Sequence, residues 1–340
     1  MAYTRRSLLK SAGVTAVVAS AAPFSLAVGG GNFAPAVQAA PPPRVFGAGH
    51  FGLELQGAPV GAVVAAAGGN VFADVVQFVP GDGNPPTRHL GSLHYEPITV
   101  VCPLSMEPAF WDWVGRMVAG DPVWMDGALL MADANYDVVR RVEFHHALIT
   151  EVGIPGLDAS SKEPGYITVV LQPEWTELGA ASGELPKPGP AAKQKLWQVS
   201  NFRVSVGDLP CGRVSKIDSF VIKQNVTEYR DGGQRVPQLI PGKLDLPNLA
   251  LTFHSIDRDP WQAFFDDFVL QGNNGQDSEL YGALELLGPD LKSVLGRMEF
   301  DHVGIFRLAP EEVDPVGTNI QRFRADLYVE RSRLFVGNLN

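Results

Sequence analysis

The chain has few cysteines, no surplus of basic charge and no long apolar run beyond its N-terminal region. Cys102 and Cys211 are the 2 cysteines in 340 residues, which excludes a disulfide-rich scaffold and allows one bridge at most. Asp and Glu (37) outnumber Lys and Arg (27), and the net charge of −10 argues against a general nucleic-acid binder. After the N-terminal region, no apolar stretch reaches the roughly 18 residues that a membrane-spanning helix needs.

Motifs that carry enzyme chemistry are also missing. The sequence contains no G-x-S-x-G, no H-E-x-x-H, no phosphate-binding loop and no C-x-x-C. Residues 47–52 match G-x-G-x-x-G, but they follow a proline run and no helix opens after them, so we expect no dinucleotide site. His145, His146 and His302 lack ligands that would complete a metal site, and we interpret them as solvated or interface histidines. The sequence therefore predicts no catalytic residue, no cofactor and no metal.

The N-terminal region carries an export pattern. Arg5 and Arg6 are followed by Leu-Leu-Lys, a mildly apolar stretch and a small-residue cleavage pattern. This order is typical of a twin-arginine signal. We therefore expect residues 1–39 to be a signal peptide and residues 40–50 an N-terminal linker, with the protein in the periplasm or outside the cell. The alternative is a basic N-terminus on a cytoplasmic protein.

An internal repeat organises the rest of the chain. Residues 51–100 align with residues 202–251 at a constant offset of 151 residues, and the alignment continues at 155 and then 156 because the later copy has a longer loop. A slowly drifting offset over about 125 residues is hard to reach by chance. We therefore expect a first repeat over residues 51–178, a Pro/Gly-rich linker over residues 179–201 and a second repeat over residues 202–336.

Each repeat is predicted to be mainly β with one packed helix. Apolar and polar residues alternate over residues 202–206, as in a half-buried strand. In the second repeat Asp259 is expected to cap a helix, with Pro260 at its first position and Gly272 at its end. The apolar residues of this helix recur at helical spacing and predict one stripe against a sheet; they are Trp261, Phe264, Phe265, Phe268 and Val269.

A pair of charged residues recurs in both repeats. Arg141 and Glu143 correspond to Arg297 and Glu299, and a spacing of two residues places each pair on one strand face. We interpret them as surface ion pairs, with an ion pair between subunits as the alternative.

Three short motifs of the second repeat follow one another in a recognisable order. They are Tyr229-Arg230-Asp231-Gly232-Gly233, then Pro241-Gly242-Lys243, then Asn248-Leu249-Ala250-Leu251. Together with the Trp-containing helix, this order resembles the tail tube family of contractile phages, which is related to the inner tubes of phage-tail-like injection systems. The first repeat keeps the frame but lacks the motifs.

The resemblance implies two tandem β-barrel or sandwich domains, each with one packed helix. Family members associate through exposed strands into six-fold rings that stack into a hollow tube, so a two-domain chain implies three chains in each ring. Residues 229–233 and 241–243 would then contact a neighbouring subunit or ring, with Arg230 and Asp231 paired across the contact and Gly232 and Gly233 at positive φ. The alternative for the loop around residues 230–233 is an ordinary exposed hairpin with no partner. The implied partners are further copies of the chain and sheath, baseplate or cargo proteins.

The main interpretation is an exported, non-enzymatic structural subunit that assembles into rings. The export signal departs from phage tail tubes, which assemble in the cytoplasm. An exported monomeric module that binds a glycan or a protein between its two domains is the alternative, and an enzyme is the third possibility.

Overall fold

Most of the described chain forms β-strands, and two α-helices interrupt them. The computed structural model describes residues 49–79, 81, 85–187, 197–233, 236–311 and 321–337. The elements up to the linker are β1 His50–Leu55, β2 Ala58–Val63, β3 Ala65–Gly68, β4 Val71–Phe78, β5 Thr87–Tyr95, β6 Ile98–Cys102, α1 Pro108–Val118, β7 Met125–Ala132, β8 Val138–Ile154, β9 Leu157–Asp158, β10 Ile167–Gln172 and β11 Trp175–Gly179. The elements after it are β12 Phe202–Val206, β13 Val214–Ile217, β14 Phe220–Tyr229, β15 Gln238–Asp245, β16 Leu249–His254, α2 Arg258–Phe265, β17 Leu280–Leu287, β18 Val294–Pro310 and β19 Arg322–Val336. The predicted mainly-β class is confirmed, while the predicted signal with Arg5 and Arg6 lies outside the described residues.

The strands form two large sheets and one separate hairpin. The first sheet runs β2-β1-β7-β8-β10-β6-β3, and β8 also pairs with β11 and with β14, which brings in β15. The second sheet runs β12-β17-β18-β19-β16-β13-β9. Strands β4 and β5 pair only with each other among the described strands. Strands from both repeats therefore share each large sheet.

The strand pairings of the first repeat recur in the same register in the second. Leu53 of β1 lies opposite Leu129 of β7, and Val204 of β12 lies opposite Leu284 of β17. These positions correspond at the offsets found in the sequence. The hairpins β4–β5 and β14–β15 share a register shift at the same point of the ladder. These strand pairs therefore share their register at matched positions of the two repeats.

The helices lie where the apolar stripes predict them, with a different start for α2. A short 3₁₀ turn over Ser255–Asp257 precedes α2, so Asp257 occupies the N-cap position and makes no side-chain cap bond. The prediction that Asp259 caps this helix is wrong, because the turn moves it into the first helical turn. The predicted stop at Gly272 is confirmed by its φ of 76°, and Gly120 follows α1 in the same way with a φ of 80°, a conformation that favours glycine after a helix.

One hydrophobic core runs through both repeats. Trp113 of α1 and Trp261 of α2 are fully buried in it. The indole N–H of Trp113 donates to the carbonyl of Val123 at 2.8 Å, and that of Trp261 donates to the carbonyl of Pro210 at 3.2 Å. Each ring is therefore buried with its donor paired. The described residues belong to a single compact unit, and the boundaries between the repeats stay predictions.

The two cysteines are free thiols. Cys102 is buried in the core and Cys211 is partly buried. Burial raises the pKa of Cys102 to about 12 and that of Cys211 to about 11. No described helix is long and apolar enough to cross a membrane.

Candidate subunit interface

Two strands from different repeats pair inside the chain. Strand β8 of the first repeat runs antiparallel to β14 of the second, with Val152 opposite Ile222 and Glu151 opposite Lys223. The two apolar residues are buried. Lys223 Nζ lies 2.8 Å from Glu151 Oε1, and this bond raises the pKa of Lys223. We call this contact between the repeats the internal seam.

A largely buried carboxylate fastens β15 across the internal seam. Glu174, between β10 and β11, accepts the backbone N–H of Leu239 through Oε1 at 2.8 Å. Its other oxygen lies 3.2 Å from His146 Nδ1. Leu239 is buried, so its N–H would lack a partner without the carboxylate. Trp124 and Pro241 line the same cleft.

Helix α1 is covered on two sides. One side packs on the sheet of the first repeat, and Gly115 on the other side lies against β19 of the second repeat. A Cβ at Gly115 would come within 2.8 Å of the Leu334 carbonyl oxygen, so glycine permits this close approach. Ser332 Oγ donates to the Val118 carbonyl at 3.5 Å. The buried residues of the helix consequently face several directions; they are Phe110, Trp111, Trp113, Val114, Met117 and Val118.

The internal seam joins an edge of β8 to an edge of β14. The corresponding edges of β18 and β4 have no strand paired with them among the described strands. Strand β4 corresponds to β14, yet it pairs only with β5 among the described strands. The last part of β18, Gly304–Pro310, corresponds to the part of β8 that pairs with β14. Within the described residues it pairs only with β19. Open edges present unpaired N–H and C=O groups to any strand that can add to them.

Apolar residues are exposed at the positions equivalent to the α1–β19 contact. Leu178 of β11 is 71% exposed, whereas Leu334, at the same position of the second repeat, is 6% exposed beneath α1. Within α2 and the π-helical turn Asp266–Leu270 that follows it, only Trp261 and Phe268 are buried. Leu270 is 70% exposed. The helix of the second repeat is therefore covered on one side, where α1 is covered on two.

These surfaces form two complementary sets. We call one set the trailing face. It consists of residues 304–310 of β18, α2 with its π-helical turn, and the cluster around His302 described below. We call β4, β5 and β11 the leading face. The trailing face contains the positions that the first repeat uses at the internal seam, and the leading face contains those that the second repeat uses.

A cluster of ionisable side chains surrounds His302 on the trailing face. His302 Nδ1 lies 2.9 Å from Glu279 Oε2, and the Tyr328 hydroxyl donates to Glu279 Oε1 at 2.6 Å. Burial, together with this carboxylate, raises the pKa of Tyr328. Glu330 lies beside them, is exposed and makes no hydrogen bond or ion pair with a described residue. His146 and His302 correspond, and both have positive φ, 46° and 58°.

Two groups bring potential metal ligands together across strands. They are Glu143, His145 and Glu177 in the first repeat and Glu279, His302 and Glu330 in the second. The sequence predicted no such grouping, because each set combines residues that are distant along the chain. In both groups a carboxylate is already bound by another side chain: Arg141 donates to Glu143 at 2.8 Å, and Tyr328 to Glu279. We interpret both as polar contacts between strands.

Residues 229–233, which are predicted to contact a neighbouring subunit or ring, lie at the tip of the β14–β15 hairpin. Tyr229 is the last residue of β14 and is exposed. Arg230 donates to the Leu93 carbonyl of β5 at 3.0 Å and to Glu228 at 3.1 Å, so it touches the first repeat of its own chain. Asp231 accepts the N–H of Gly233 at 3.0 Å. The prediction of positive φ at Gly232 and Gly233 is wrong, because neither adopts it and a Cβ at Gly232 would meet open space.

The predicted Pro-Gly-Lys turn is part of strand β15. Pro241 lies opposite Val226 and lines the cleft beside Glu174. The Gly242 carbonyl accepts the side-chain amide of Gln224 at 2.6 Å, and Lys243 is exposed. The motif therefore sits at the internal seam, and its role between chains stays a prediction.

The predicted surface ion pair of the first repeat is confirmed. In the second repeat the corresponding arginine binds a different carboxylate more closely. Arg141 Nε donates to Glu143 at 2.8 Å, while Arg297 lies 4.0 Å from Glu299. Arg297 instead donates to Glu285 of β17, which also accepts from Arg203 at 2.6 Å. Cross-strand neighbours thus decide which carboxylate each arginine binds.

The seam residues were not identified as such from the sequence. Glu174 and Glu330 do align between the repeats, and this repeated acidic residue was a usable signal. Leu239 and Leu178 carried no comparable signal, since apolar residues in strands are common. The pairing of β8 with β14 joins positions about 70 residues apart, and no local pattern encodes it.

Several solved structures are similar to the chain, although no family profile and no characterised protein match its sequence. The anti-feeding prophage cap, which terminates the AFP tube, has 17% identity and a TM-score of 0.36 over 46% of this chain and 97% of its own. A chain of the PVC sheath–tube complex, an extracellular contractile injection system in its extended state, has 18% identity and a TM-score of 0.36 over 45% of this chain and 99% of its own. Hcp1 from Flavobacterium johnsoniae has 15% identity and a TM-score of 0.25 over 41% of this chain and 99% of its own.

Proposed function

We propose that the chain is a non-enzymatic structural subunit of the tail-tube type. It consists of two tandem copies of one domain and assembles head to tail into rings that stack into a hollow tube. The observation that carries the proposal is the internal seam, because each contact within it has an uncovered counterpart on the trailing or the leading face.

The trailing face of one chain would meet the leading face of the next as the first repeat meets the second. Gly304–Pro310 would then pair with the start of β4, and Leu178 would be covered by α2. The two surfaces differ, so the contact is heterologous and generates either a closed ring or an open filament. A closed ring pairs the open edge of β4 and that of β18 in every chain, which favours closure. Six repeats in a ring, the number that the tail-tube resemblance implies, require three chains.

We further propose export by the twin-arginine route, supported by Arg5, Arg6 and the small-residue pattern near residue 39. Because this route carries folded proteins, the repeats would fold before export and assemble afterwards. Sheath, baseplate or cargo proteins are the further candidate partners. Replacing both arginines by lysine should retain the protein in the cytoplasm, as fractionation and N-terminal sequencing would report; unchanged export would contradict the signal.

Native mass spectrometry with negative-stain microscopy tests the assembly. Protein purified from its producing cells should form particles of three times the mass of the mature chain, with six lobes around a central hole; removal of residues 1–39 makes that chain lighter than the 36.6 kDa of the full sequence. Leu178→Asp and Leu270→Asp should each weaken these particles, because each puts a charge into the expected contact. Leu291→Asp is the control, since Leu291 is also exposed, at 58%, but lies on neither face.

The result that would overturn the proposal is a monomer at high concentration across low and high salt. That result would favour the two-domain binding module instead. Three-chain particles that tolerate both leucine substitutions would overturn the geometry of the contact while leaving assembly in place.

A further inference from the structure

The expected contact between chains differs from the internal seam at the cleft beside the repeated glutamate. At the internal seam this cleft is lined by Trp124 of the first repeat and Leu239 of the second, both uncharged. The corresponding residues on the faces of the chain are Glu279 and Arg88, at offsets of 155 and 151 residues. An apolar pair is thus replaced by two opposite charges, one on each face.

Strand register supports this correspondence. Leu239 lies opposite Glu228 in the β14–β15 hairpin, and Arg88 lies opposite Gln77 in β4–β5, at the same position of the ladder. Arg88 is exposed and makes no ion pair with a described residue. If β5 docks as β15 does, the backbone N–H of Arg88 meets the carboxylate of Glu330, as that of Leu239 meets Glu174.

The trailing face carries two neighbouring carboxylates, Glu279 and Glu330, and the bond from the Arg88 backbone N–H uses only one of them. Glu279 is almost fully buried and is oriented by His302 and the Tyr328 hydroxyl. Glu330 is exposed beside it with no cation bound among the described residues. A guanidinium donates several N–H groups in one plane, so it can bind two neighbouring carboxylates.

We infer that Arg88 of one chain and the Glu279–Glu330 carboxylates of the next form an ionic lock that distinguishes the contact between chains from the seam within a chain. The inference rests on the proposed ring. It assigns the two faces to each other by charge, which selects the correct partner and the correct register. The internal seam, joined covalently by the linker, needs no such selection and keeps an apolar pair there.

The test measures assembly of the full chain by mass photometry over a range of concentrations. Arg88→Glu and Glu330→Arg should each raise the dissociation constant of the three-chain particle at least 10-fold, because each places like charges together. The double variant with both substitutions should restore association to near the wild-type value. Lys292→Glu, an exposed charge reversal in the β17–β18 turn, is the matched control and should leave association unchanged.

Salt gives a second readout of the same lock. Raising NaCl from 50 to 500 mM should weaken wild-type association and have less effect on a variant with Arg88→Gln and Glu330→Gln, because screening acts on the charges that this variant lacks. Wild-type rings with unaltered affinity in the single reversals, or no rescue in the double variant, would overturn the lock and leave the ring. A wild-type chain that never associates would overturn the ring, and the lock with it.

Discussion

The carboxylate of Glu174 accepts the backbone N–H of Leu239 at 2.8 Å and so joins the two repeats. Glu330 occupies the same position in the second repeat, where it makes no hydrogen bond or ion pair with a described residue. Identical side chains at matched positions therefore have different surroundings, and this difference yields the first prediction.

Glu174→Ala should lower the free energy of unfolding by about 1–3 kcal/mol, because it leaves the buried N–H of Leu239 without an acceptor. Glu330→Ala should leave the free energy of unfolding unchanged and weaken association between chains. Urea unfolding at low protein concentration, with mass photometry on the same samples, separates the two effects. Equal losses of stability in both variants would contradict the assignment of Glu174 to an internal contact.

Glu285 should make stability depend on pH in the acidic range. Burial alone would raise the pKa of this carboxyl, but hydrogen bonds from Arg297 and Arg203 outweigh burial and hold its pKa below the ordinary 4.5. A lowered pKa in the folded state contributes stability above the unfolded-state pKa, and the contribution is lost as pH falls through the folded-state pKa.

Glu285→Gln should therefore be less stable at pH 7 by about 1–3 kcal/mol, and the difference should shrink below about pH 4. Urea titrations at several pH values measure this. Glu163→Gln, at an exposed loop position, should match the wild type throughout. A difference that persists undiminished at low pH would show that packing, and not charge, accounts for the loss.

Substitution by alanine should lower the free energy of unfolding at one glycine and leave it almost unchanged at another. Gly68 has a φ of 95°, and a Cβ there would collide with the Pro97 carbonyl oxygen. Gly68→Ala should destabilise the fold by about 1–3 kcal/mol or more. Gly232→Ala should change stability by less than about 0.5 kcal/mol, because its φ is ordinary and the space beside it is open. Thermal unfolding of both variants decides this, and a large loss at Gly232 would revive the predicted positive φ.

The cysteines should be unreactive in the folded protein. Their raised pKa values, about 12 for Cys102 and about 11 for Cys211, leave little thiolate at pH 8, and thiolate is the reactive form. A thiol-specific reagent should label neither rapidly at pH 8, with Cys211 reacting before Cys102 because it is less buried. In guanidinium chloride both should react at once. Failure to titrate two thiols there would indicate a bridge between them.

The tip of the β14–β15 hairpin tests contact between rings. Replacing Arg230 and Asp231 by alanine should leave the circular dichroism spectrum unchanged, because both lie on the exposed tip. If the tip reaches the neighbouring ring, tubes should become shorter and fewer, as negative-stain images would show. Unchanged tube length and yield would limit Arg230 to its contacts with Leu93 and Glu228 of its own chain.

The sequence alone determined two kinds of feature: strands and helices that follow from local residue patterns, and the recurrence found by aligning the chain with itself. Alternation predicted β12, apolar spacing with a terminal glycine predicted both helices, and a drifting offset predicted the recurrence that strand registers display. It misplaced the start of α2, because a 3₁₀ turn competes there with a local capping signal.

Only the tertiary structure decided which edges and faces are covered. The pairing of β8 with β14, the burial of Leu334 beside the exposure of Leu178, and the separate surroundings of Glu174 and Glu330 all arise from contacts between distant segments. Matching residues in two repeats carry the same local preferences, so local preference cannot tell a covered copy from an open one. The difference arises because β8 and β14 meet within the chain, whereas the matching edges of β18 and β4 do not meet each other.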